Sequence, residues 1–203
     1  SGADERTRDI WARAGVLVNE LARPALVLNL PTFVGMRAVP WLAGEPHYLS
    51  LRWLLRAMPP WAVAGRTIFV CENPNLLAIA AEQLGARCAP LVCTDGMPAA
   101  AQRTLLQQLQ QSGAHLHYHG DFDWAGLRIA NHVLYQAGAS PWRMGATDYE
   151  AAAGSAASAP HVLTGREAQA TWDSQLASTM RRYGLAIAEE AVAEALIDDL
   201  SAG

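Results

Sequence analysis

Three apolar segments alternate with segments of helical periodicity, and this alternation constrains the fold more than any other feature of the sequence. The apolar segments are residues 67–71, 89–93 and 114–119. The first is continuously apolar, as is typical of a strand covered on both faces. Leu and Ala recur at helical spacing between and after these segments, and the last helix is predicted over residues 124–137. Strand and helix in alternation predict an α/β fold with a central parallel sheet, right-handed crossovers and flanking helices.

Further elements are predicted before and after this repeat, where proline, glycine and helical spacing mark their limits. Those before it are a helix over residues 4–23, a short buried strand over 25–30 and a helix over 48–58. Those after it are an edge strand over residues 142–144, a flexible Ala-, Ser- and Gly-rich loop over 151–160, and helices over about 167–182 and 187–200. The core is therefore expected to carry N- and C-terminal helical additions.

The pattern divides the chain into three parts. Residues 1–60 form an N-terminal extension, residues 61–150 the core, and residues 151–203 a flexible loop with C-terminal helices. The chain begins with Ser1 and not with Met, which fits either a vector scar or a boundary inside a longer protein. We therefore expect residues 1–60 to be the end of a longer N-terminal region.

Composition argues against several classes of protein. No apolar run reaches the roughly 18 residues needed to cross a bilayer, and no basic stretch before an apolar run marks a secretory signal. The cysteines, Cys71, Cys88 and Cys93, lack the paired spacing of a zinc site, and their odd number argues against a disulfide framework. We expect buried free thiols in a cytoplasmic protein. The net charge of −4 argues against DNA binding by bulk positive charge.

Carboxylates follow each of the three predicted parallel strands. Glu72 follows the first strand, Asp95 the second, and Asp121 with Asp123 the third. Functional groups of open parallel sheets gather at this carboxyl edge. Carboxylates held together repel one another and raise one another's pKa, and a divalent cation offsets that repulsion. Because Mg²⁺ prefers carboxylate oxygens and also binds phosphate oxygens, the pattern predicts a magnesium site with Asp95 as an additional candidate ligand.

Simpler interpretations of the same residues stay open. Asp123 stands just before a helix and fits an N-cap, and Asp95 with the following glycine fits an ordinary turn. His115, His117 and His119 alternate along one strand and therefore share a face. Packing of that face is favoured over a transition-metal site, although His119 lies only two residues before the acidic loop.

Three motifs resemble those of Toprim domains, which occur in topoisomerases and primases. Residues 121–129 resemble the motif Asp-x-Asp-x-x-Gly-x-x-Ile, and residues 70–74 resemble the Toprim glutamate motif, in which an apolar strand ends in Glu. Gly96 and Pro98, with Arg103 further along the helix, are similar to a signature of the type IIB topoisomerase A subunit. The three motifs occur in the same order as in those proteins and cover roughly residues 66–145.

The resemblance implies a Toprim fold and a metal-dependent nuclease. In such a site Glu72, Asp121 and Asp123 would hold Mg²⁺, with Mn²⁺ able to substitute, and would carry the catalysis. Arginine presents a planar fork to phosphate oxygens, and glycine allows close backbone approach. On these grounds the additional candidate residues are Arg103 and Arg128 for nucleic-acid binding, and the motif glycines Gly96 and Gly126.

A closer resemblance runs through most of the chain. Residues 70–75, 91–96, 118–124 and 141–145 look like segments of a bacterial family of Toprim proteins encoded beside SMC-like ATPases, as in Wadjet plasmid-defence systems. That resemblance implies the C-terminal domain of a longer DNA-cleaving subunit. Its expected partners are DNA, an SMC-like ATPase complex and the preceding region of the same protein, with no membrane. Whether the chain forms a homodimer stays open.

The chain departs from the topoisomerases in its tyrosines. Topoisomerase relatives attack DNA with a Tyr on a separate winged-helix domain that precedes the Toprim domain, and no such domain is evident here. The tyrosines lie inside or beside the Toprim elements; they are Tyr48, Tyr118, Tyr135, Tyr149 and Tyr183. We therefore expect water as the nucleophile and hydrolysis as the reaction.

Two other functions compete with this interpretation. Haloacid-dehalogenase-like phosphatases also use Asp-x-Asp after a strand, but they usually have a Thr where this chain has Ala125, and a Lys, which this chain lacks entirely. The second alternative is a non-catalytic Toprim-like scaffold that binds DNA or a partner. The presence of all three acids, Glu72, Asp121 and Asp123, favours catalysis over the scaffold.

Overall fold

A six-stranded sheet forms the centre of the fold. The computed structural model describes residues 19–31, 42–57, 60–155 and 161–201. The strands of the central sheet are β1 (Ala25–Leu28), β2 (His47–Leu49), β3 (Thr67–Cys71), β4 (Leu91–Cys93), β5 (His115–Tyr118) and β6 (Ser140–Pro141). A separate two-stranded sheet pairs β7 (His161–Val162) with β8 (Leu185–Ala186).

The central sheet is mostly parallel. Its strand order is β2-β1-β4-β3-β5-β6, and the pairs β4–β3, β3–β5 and β5–β6 are parallel. The fold class predicted from the sequence is therefore confirmed. The sequence analysis assigned no direction to the first strand, and in the structure β1 runs antiparallel to both β4 and β2. A buried strand has the same apolar pattern in either direction, so the pattern alone does not reveal its orientation.

Helices cover the sheet. In chain order they are α1 (Leu51–Ala57), α2 (Pro74–Leu84), α3 (Ala100–Gln111), α4 (Trp124–Ala137), α5 (Ala146–Gly154), α6 (Leu176–Tyr183) and α7 (Ala193–Ser201). Two 3₁₀ turns, Gly85–Arg87 and Glu189–Val192, join them to neighbouring segments. None of the helices in the described ranges is long and apolar enough to cross a membrane.

Two hydrophobic cores lie on opposite faces of the sheet. Successive strand residues point to opposite faces, so Val70 of β3 packs in one core and its neighbour Cys71 in the other. Helices α1, α3, α4 and α6 contribute to the first core, and α2 and α7 to the second. The result is a three-layer arrangement in which the strands are covered on both faces, as their continuous apolar character predicts.

The central repeat is where prediction and structure agree most closely. The helix predicted over residues 124–137 is confirmed at both ends as α4, and the strand predicted over 67–71 as β3. The three cysteines are buried and unpaired, as predicted.

The loop predicted over residues 151–160 is wrong in its first part. Residues 151–154 belong to α5, whereas 156–160 lie outside the described residues. Alanine is the best helix former, and the Asp148 carboxylate accepts a hydrogen bond from the N–H of Gly145 (2.8 Å) at the start of α5. The Ala-rich composition therefore forms a capped helix.

The helix predicted over residues 167–182 begins later than expected, as α6. Side-chain hydrogen bonds hold the preceding segment out of a helix. The indole N–H of Trp172 donates to the Met144 carbonyl (2.6 Å), and the Asp173 carboxylate accepts from the N–H of Ala146 (2.7 Å). Apolar spacing does not reveal such contacts with a distant segment.

Other predicted elements are shifted. The helix predicted over residues 48–58 is α1, and β2 occupies its first residues. The edge strand predicted over 142–144 forms earlier, as β6, and the helix predicted over 187–200 starts only at α7, after a 3₁₀ turn. Only residues 19–23 of the helix predicted over 4–23 are described, and they form a turn.

Removing the Leu196 side chain tests the docking of α7. Leu196 is fully buried in the core between α2 and α7, so Leu196→Ala should lower the free energy of unfolding by about 2–5 kcal/mol. Glu194→Ala, at an exposed position of the same helix, should change it by less than about 0.5 kcal/mol. Urea denaturation of both variants gives the comparison. Equal effects would show that α7 does not pack as described.

Candidate functional site

Glu72 and Asp121 meet at the carboxyl edge of the sheet. Glu72 directly follows β3, and Asp121 lies in the loop after β5. These strands are parallel neighbours, with Val70 opposite Tyr118, so their carboxyl ends coincide. The Glu72 carboxylate accepts hydrogen bonds from the Asp121 N–H (3.4 Å) and the Tyr118 hydroxyl (3.3 Å). The two loops that the sequence predicts to converge are therefore in contact.

Asp123 has a local structural role beside the same cluster. Its carboxylate accepts a hydrogen bond from the N–H of Gly126 (2.6 Å) and caps α4. The simpler interpretation of Asp123 as an N-cap is thus confirmed. Its negative charge also helps to raise the pKa of Glu72, so the cap and the acidic cluster share this residue.

Two glycines allow the acidic loop to fold this tightly. A Cβ on Gly126 would lie 2.1 Å from the carbonyl oxygen of Asp121, closer than any side chain can approach. A Cβ on Gly120 would lie 2.5 Å from a carboxylate oxygen of Glu72. The close backbone approach predicted at Gly126 is present. Gly120 was not among the residues predicted from the sequence. Its position directly before Asp121 is the one signal in the sequence that points to it.

Glu189 is the main site residue that sequence reasoning missed. Its side chain is almost fully buried, and its two carboxylate oxygens accept hydrogen bonds from the N–H groups of Glu72 (3.1 Å) and Asn73 (2.6 Å). Its own N–H donates to the Asp121 carboxylate (2.7 Å). A β-bridge between Phe122 and Ile187 holds the segment before it against the acidic loop.

Three acids therefore form a closed ring of hydrogen bonds. The carboxylate of Glu72 accepts from the N–H of Asp121, that of Asp121 from Glu189, and that of Glu189 from Glu72. Each negative charge faces a backbone dipole of the next residue. In the described part of the chain, no arginine or histidine forms an ion pair with any of the three.

Crowding and burial raise the pKa values of these acids. The pKa of Glu72 rises to about 7, first because burial removes water and then because the charges of Asp121 and Asp123 lie nearby. Burial also raises the pKa of Asp121, with the charges of Asp123 and Glu190 adding to the effect, and it raises that of Glu189 well above its usual range. The cluster holds negative charge that its surroundings do not neutralise.

The donor atoms fit a hard divalent cation, but the side chains do not form a finished site. As they stand in the described ranges, no three His, Cys, Asp or Glu side chains form a group that could hold a metal ion. The oxygens of Glu72 and Asp121 instead accept hydrogen bonds. Carboxylate oxygens are the ligands that Mg²⁺ prefers, and a cation would offset the charge crowding that raises both pKa values. A cation would have to compete with these hydrogen bonds.

The turn after β4 lies beside the cluster through its backbone. Asp95 and Gly96 both have positive φ, 53° and 74°, and the side chain of Asp95 is exposed. The Gly96 N–H donates to the carbonyl of Glu72 (3.2 Å), which ties the turn to the end of β3. The carbonyl of Asp95 accepts from Arg23 (2.9 Å). This geometry is that of the ordinary turn considered for these residues, and it assigns no ligand role to the Asp95 side chain.

The two candidate phosphate-binding arginines contact backbone carbonyls. Arg103 donates to the carbonyl of Pro98 (2.9 Å) within the first turns of α3, and Arg128 of α4 donates to the carbonyl of Arg166 (2.8 Å). Each guanidinium keeps further N–H donors. Contact with nucleic acid by either residue stays a prediction.

Two of the three alternating histidines lie against aromatic rings, and the third is exposed. His115 is exposed, His117 lies 6.1 Å from the Phe69 ring, and His119 is fully buried between Phe122 (5.6 Å) and Trp142 (6.0 Å), all measured between ring centroids. Burial, with the nearby Arg143 charge, lowers the pKa of His119 to about 3. The favoured packing interpretation fits this arrangement.

The sheet order, its parallel strands and its covered faces define an α/β protein, and they are consistent with a Toprim-like fold. A family profile described as the C-terminus of a protein of unknown function (DUF2399) matches residues 47–200. The match spans β2 to α7 and well over half of the chain, so the chain belongs to this family. A search of curated proteins found no significant match.

A methyl group at position 126 should disturb the acidic loop. In Gly126→Ala the Asp121 backbone and α4 must move away from each other to make room for the methyl group. We expect a loss of about 1–3 kcal/mol in the free energy of unfolding. Gly154→Ala is the matched control, because its Cβ would meet open space at the end of α5. It should be neutral or stabilising by up to about 1 kcal/mol. Thermal or urea unfolding of both variants gives the comparison. Equal effects of the two substitutions on the free energy of unfolding would contradict the close approach between Gly126 and the Asp121 carbonyl.

The contribution of Glu72 to stability should fall as the pH rises through the range in which folded Glu72 titrates. Its pKa is about 7 in the folded protein against an ordinary 4.5, so between these values the folded state holds a proton that the unfolded chain releases. This contribution should drop by on the order of 2–3 kcal/mol between about pH 5 and about pH 8. Buried His119, whose pKa is lowered to about 3, gives the opposite slope below about pH 6.5, so the measurement is the difference in the free energy of unfolding between the parent and Glu72→Gln, by urea denaturation with a chelator present. The same pH dependence in both proteins would mean that Glu72 titrates normally.

Proposed function

We propose that this chain is a Mg²⁺-dependent Toprim nuclease domain that hydrolyses phosphodiester bonds in DNA, and that Mn²⁺ can replace Mg²⁺. The observation that carries the proposal is the contact between Glu72 and Asp121, beside Asp123, with unneutralised negative charge at the carboxyl edge of parallel strands. Such crowding of acids is typical of sites that bind a cation. The Toprim motifs in the sequence lie on these same residues.

In the proposed reaction Asp121 and Glu72 would hold the metal ion, and Asp123 would contribute negative charge or a further ligand. The ion would supply Lewis acidity at the scissile phosphate and a lowered pKa for a water nucleophile. If Glu72 does not bind the ion, it would instead act as general acid and base, because in the metal-free site a carboxyl group with a pKa of about 7 can hold or release a proton near neutral pH.

Hydrolysis by water is favoured over covalent attack by tyrosine. Tyr118, whose hydroxyl contacts Glu72, is fully buried in the core, so a DNA phosphate cannot reach it. Its buried position beside Glu72 also raises its pKa well above the usual range. A group this hard to ionise is a poor nucleophile. Its contact with Glu72 instead serves to orient the carboxylate.

Other parts of a larger assembly would deliver the DNA. DNA affinity comes largely from neutralisation of phosphates by Lys and Arg, and this chain has a net charge of −4. Several of its arginines are already paired with acids; these are Arg52, Arg56, Arg143, Arg181 and Arg182. We therefore propose a cytoplasmic, plasmid-cleaving subunit that acts with an SMC-like ATPase complex and with a preceding region of the same protein.

A non-catalytic, Toprim-like scaffold that binds DNA or a partner is the second candidate. It is favoured by one observation, namely that the carboxylates already accept hydrogen bonds from the protein and form no three-residue metal group in the described ranges. A scaffold needs no cation, so metal binding separates the two candidates.

Melting with and without Mn²⁺ tests the metal site. At roughly 100-fold excess over Kd the melting temperature of the 203-residue chain should rise by about 5–10 °C. The rise should vanish in Asp121→Asn/Asp123→Asn, whose amide oxygens still accept the hydrogen bonds from Glu189 and Gly126. Glu194→Gln/Asp198→Asn removes two charges from exposed positions on α7 and should keep the full rise. No response of the parent chain to Mn²⁺ would favour the scaffold.

Cleavage is measured separately, on supercoiled plasmid. The chain alone should cut poorly with Mn²⁺, because its net acidic surface does not hold the duplex. The complete assembly should cut efficiently, and Asp121→Asn in that assembly should abolish the cutting. Fast cutting by the chain alone would refute the proposal that other components deliver the DNA.

A further inference from the structure

We propose that Glu189 is a positioning residue that holds the loops of Glu72 and Asp121 in the arrangement needed to bind a cation. The inference rests on the proposed function, because the arrangement in question is that of the proposed metal site. Glu189 opens the 3₁₀ turn Glu189–Val192 and lies 117 residues along the chain from Glu72. Glu189 therefore lies outside both loops at the ends of β3 and β5, which carry Glu72 and Asp121.

Glu189 connects the two loops through both its side chain and its backbone. Its carboxylate accepts the N–H groups of Glu72 (3.1 Å) and Asn73 (2.6 Å), which fixes the backbone at the end of β3. Its own N–H donates to the Asp121 carboxylate (2.7 Å), which fixes the side chain of the second loop. Loss of the Glu189 side chain would release one end of this connection.

Only a carboxylate of this length satisfies both backbone donors. Each of its two oxygens faces one N–H group. A glutamine offers one oxygen and one NH₂ group, so one N–H would face another donor and lose its partner. A buried donor without a partner is costly, and the backbone near Glu72 would therefore shift or become more mobile.

Glu189 acts through the other acids and is not proposed as a ligand. Both of its oxygens already face N–H groups of the chain, whereas the carboxylates of Glu72 and Asp121 are the ones oriented by it. Partners that orient ligand side chains change metal affinity by about 10–100-fold when they are mutated. An effect of that size is expected here.

The neighbouring Glu190 provides a matched control. It carries the same charge, and that charge also acts on Asp121, but its carboxylate bonds the side chain of Asn75 (2.7 Å) and no N–H of the acidic loops. Glu190→Gln therefore removes one negative charge near the site and leaves the backbone contacts in place. Glu189→Gln removes a carboxyl group near the site and breaks a backbone contact.

The experiment compares Glu189→Gln and Glu190→Gln in the 203-residue chain by two measurements. Without metal, hydrogen exchange of the Glu72 and Asn73 amides should be at least about tenfold faster in Glu189→Gln and unchanged in Glu190→Gln, because the hydrogen-bond acceptor of these buried amides is lost only in the first. By calorimetry, the Kd for Mn²⁺ should rise about 10–100-fold in Glu189→Gln and less than about threefold in Glu190→Gln. If Glu189→Gln does not fold, Glu189→Asp replaces it, with the same expected directions.

The outcomes separate this inference from the proposed function. A parent chain that binds Mn²⁺, with the same Kd in Glu189→Gln, overturns the positioning role and leaves the metal site standing. Equal weakening of Mn²⁺ binding in both variants also overturns it, since charge alone would then account for the effect. A parent chain that does not bind Mn²⁺ overturns the proposed function, and the positioning role toward a cation with it. Faster amide exchange in Glu189→Gln would then still establish the contact between the segments.

Discussion

Buried carboxylates and backbone N–H groups meet where β3 and β5 end, and the arrangement of the surrounding elements serves that contact. Burying a charge is costly unless hydrogen bonds compensate it. Here Glu72, Asp121 and Glu189 compensate one another through a ring in which each carboxylate faces the N–H of the next. The ring requires parallel neighbouring strands and a loop that two glycines, Gly120 and Gly126, make tight enough. It leaves charge that only a cation, a proton or a basic partner can neutralise.

The sequence predicted the centre of this fold well and its periphery less well, for a physical reason. Strands β3 to β5 and their helices are specified by local patterns, namely buried apolar runs, Asn73 and Asp123 as N-caps, and helical spacing. The elements that were missed or shifted depend on distant partners. The segment before α6, for instance, is held out of a helix by hydrogen bonds of the Trp172 and Asp173 side chains with the backbone of Met144 and Ala146. No pattern within that segment records those bonds.

The residues of the candidate site also divide into those that local sequence patterns reveal and those that depend on distant contacts. Glu72, Asp121 and Asp123 could be identified from the sequence, because each lies in a short loop that follows a predicted strand. Glu189 could not, since it lies in an unremarkable Glu-Glu pair and contributes through backbone contacts 117 residues away. Arg103 and Arg128 were identified from the sequence as candidates for phosphate binding. The structure shows each guanidinium group bonded to a backbone carbonyl, and contact with phosphate by either residue stays a prediction.

The distance in sequence between Glu72 and Glu189 also affects when the site can form during folding. Contacts between residues far apart in sequence form late, because a long stretch of chain must first lose its freedom. On a ribosome, the strands that carry Glu72 and Asp121 emerge before the segment that carries Glu189, and domains fold as their last parts become available. The acidic cluster therefore reaches its final geometry only after synthesis has passed Val192. A nascent or prematurely terminated chain would contain both loops in an unassembled form.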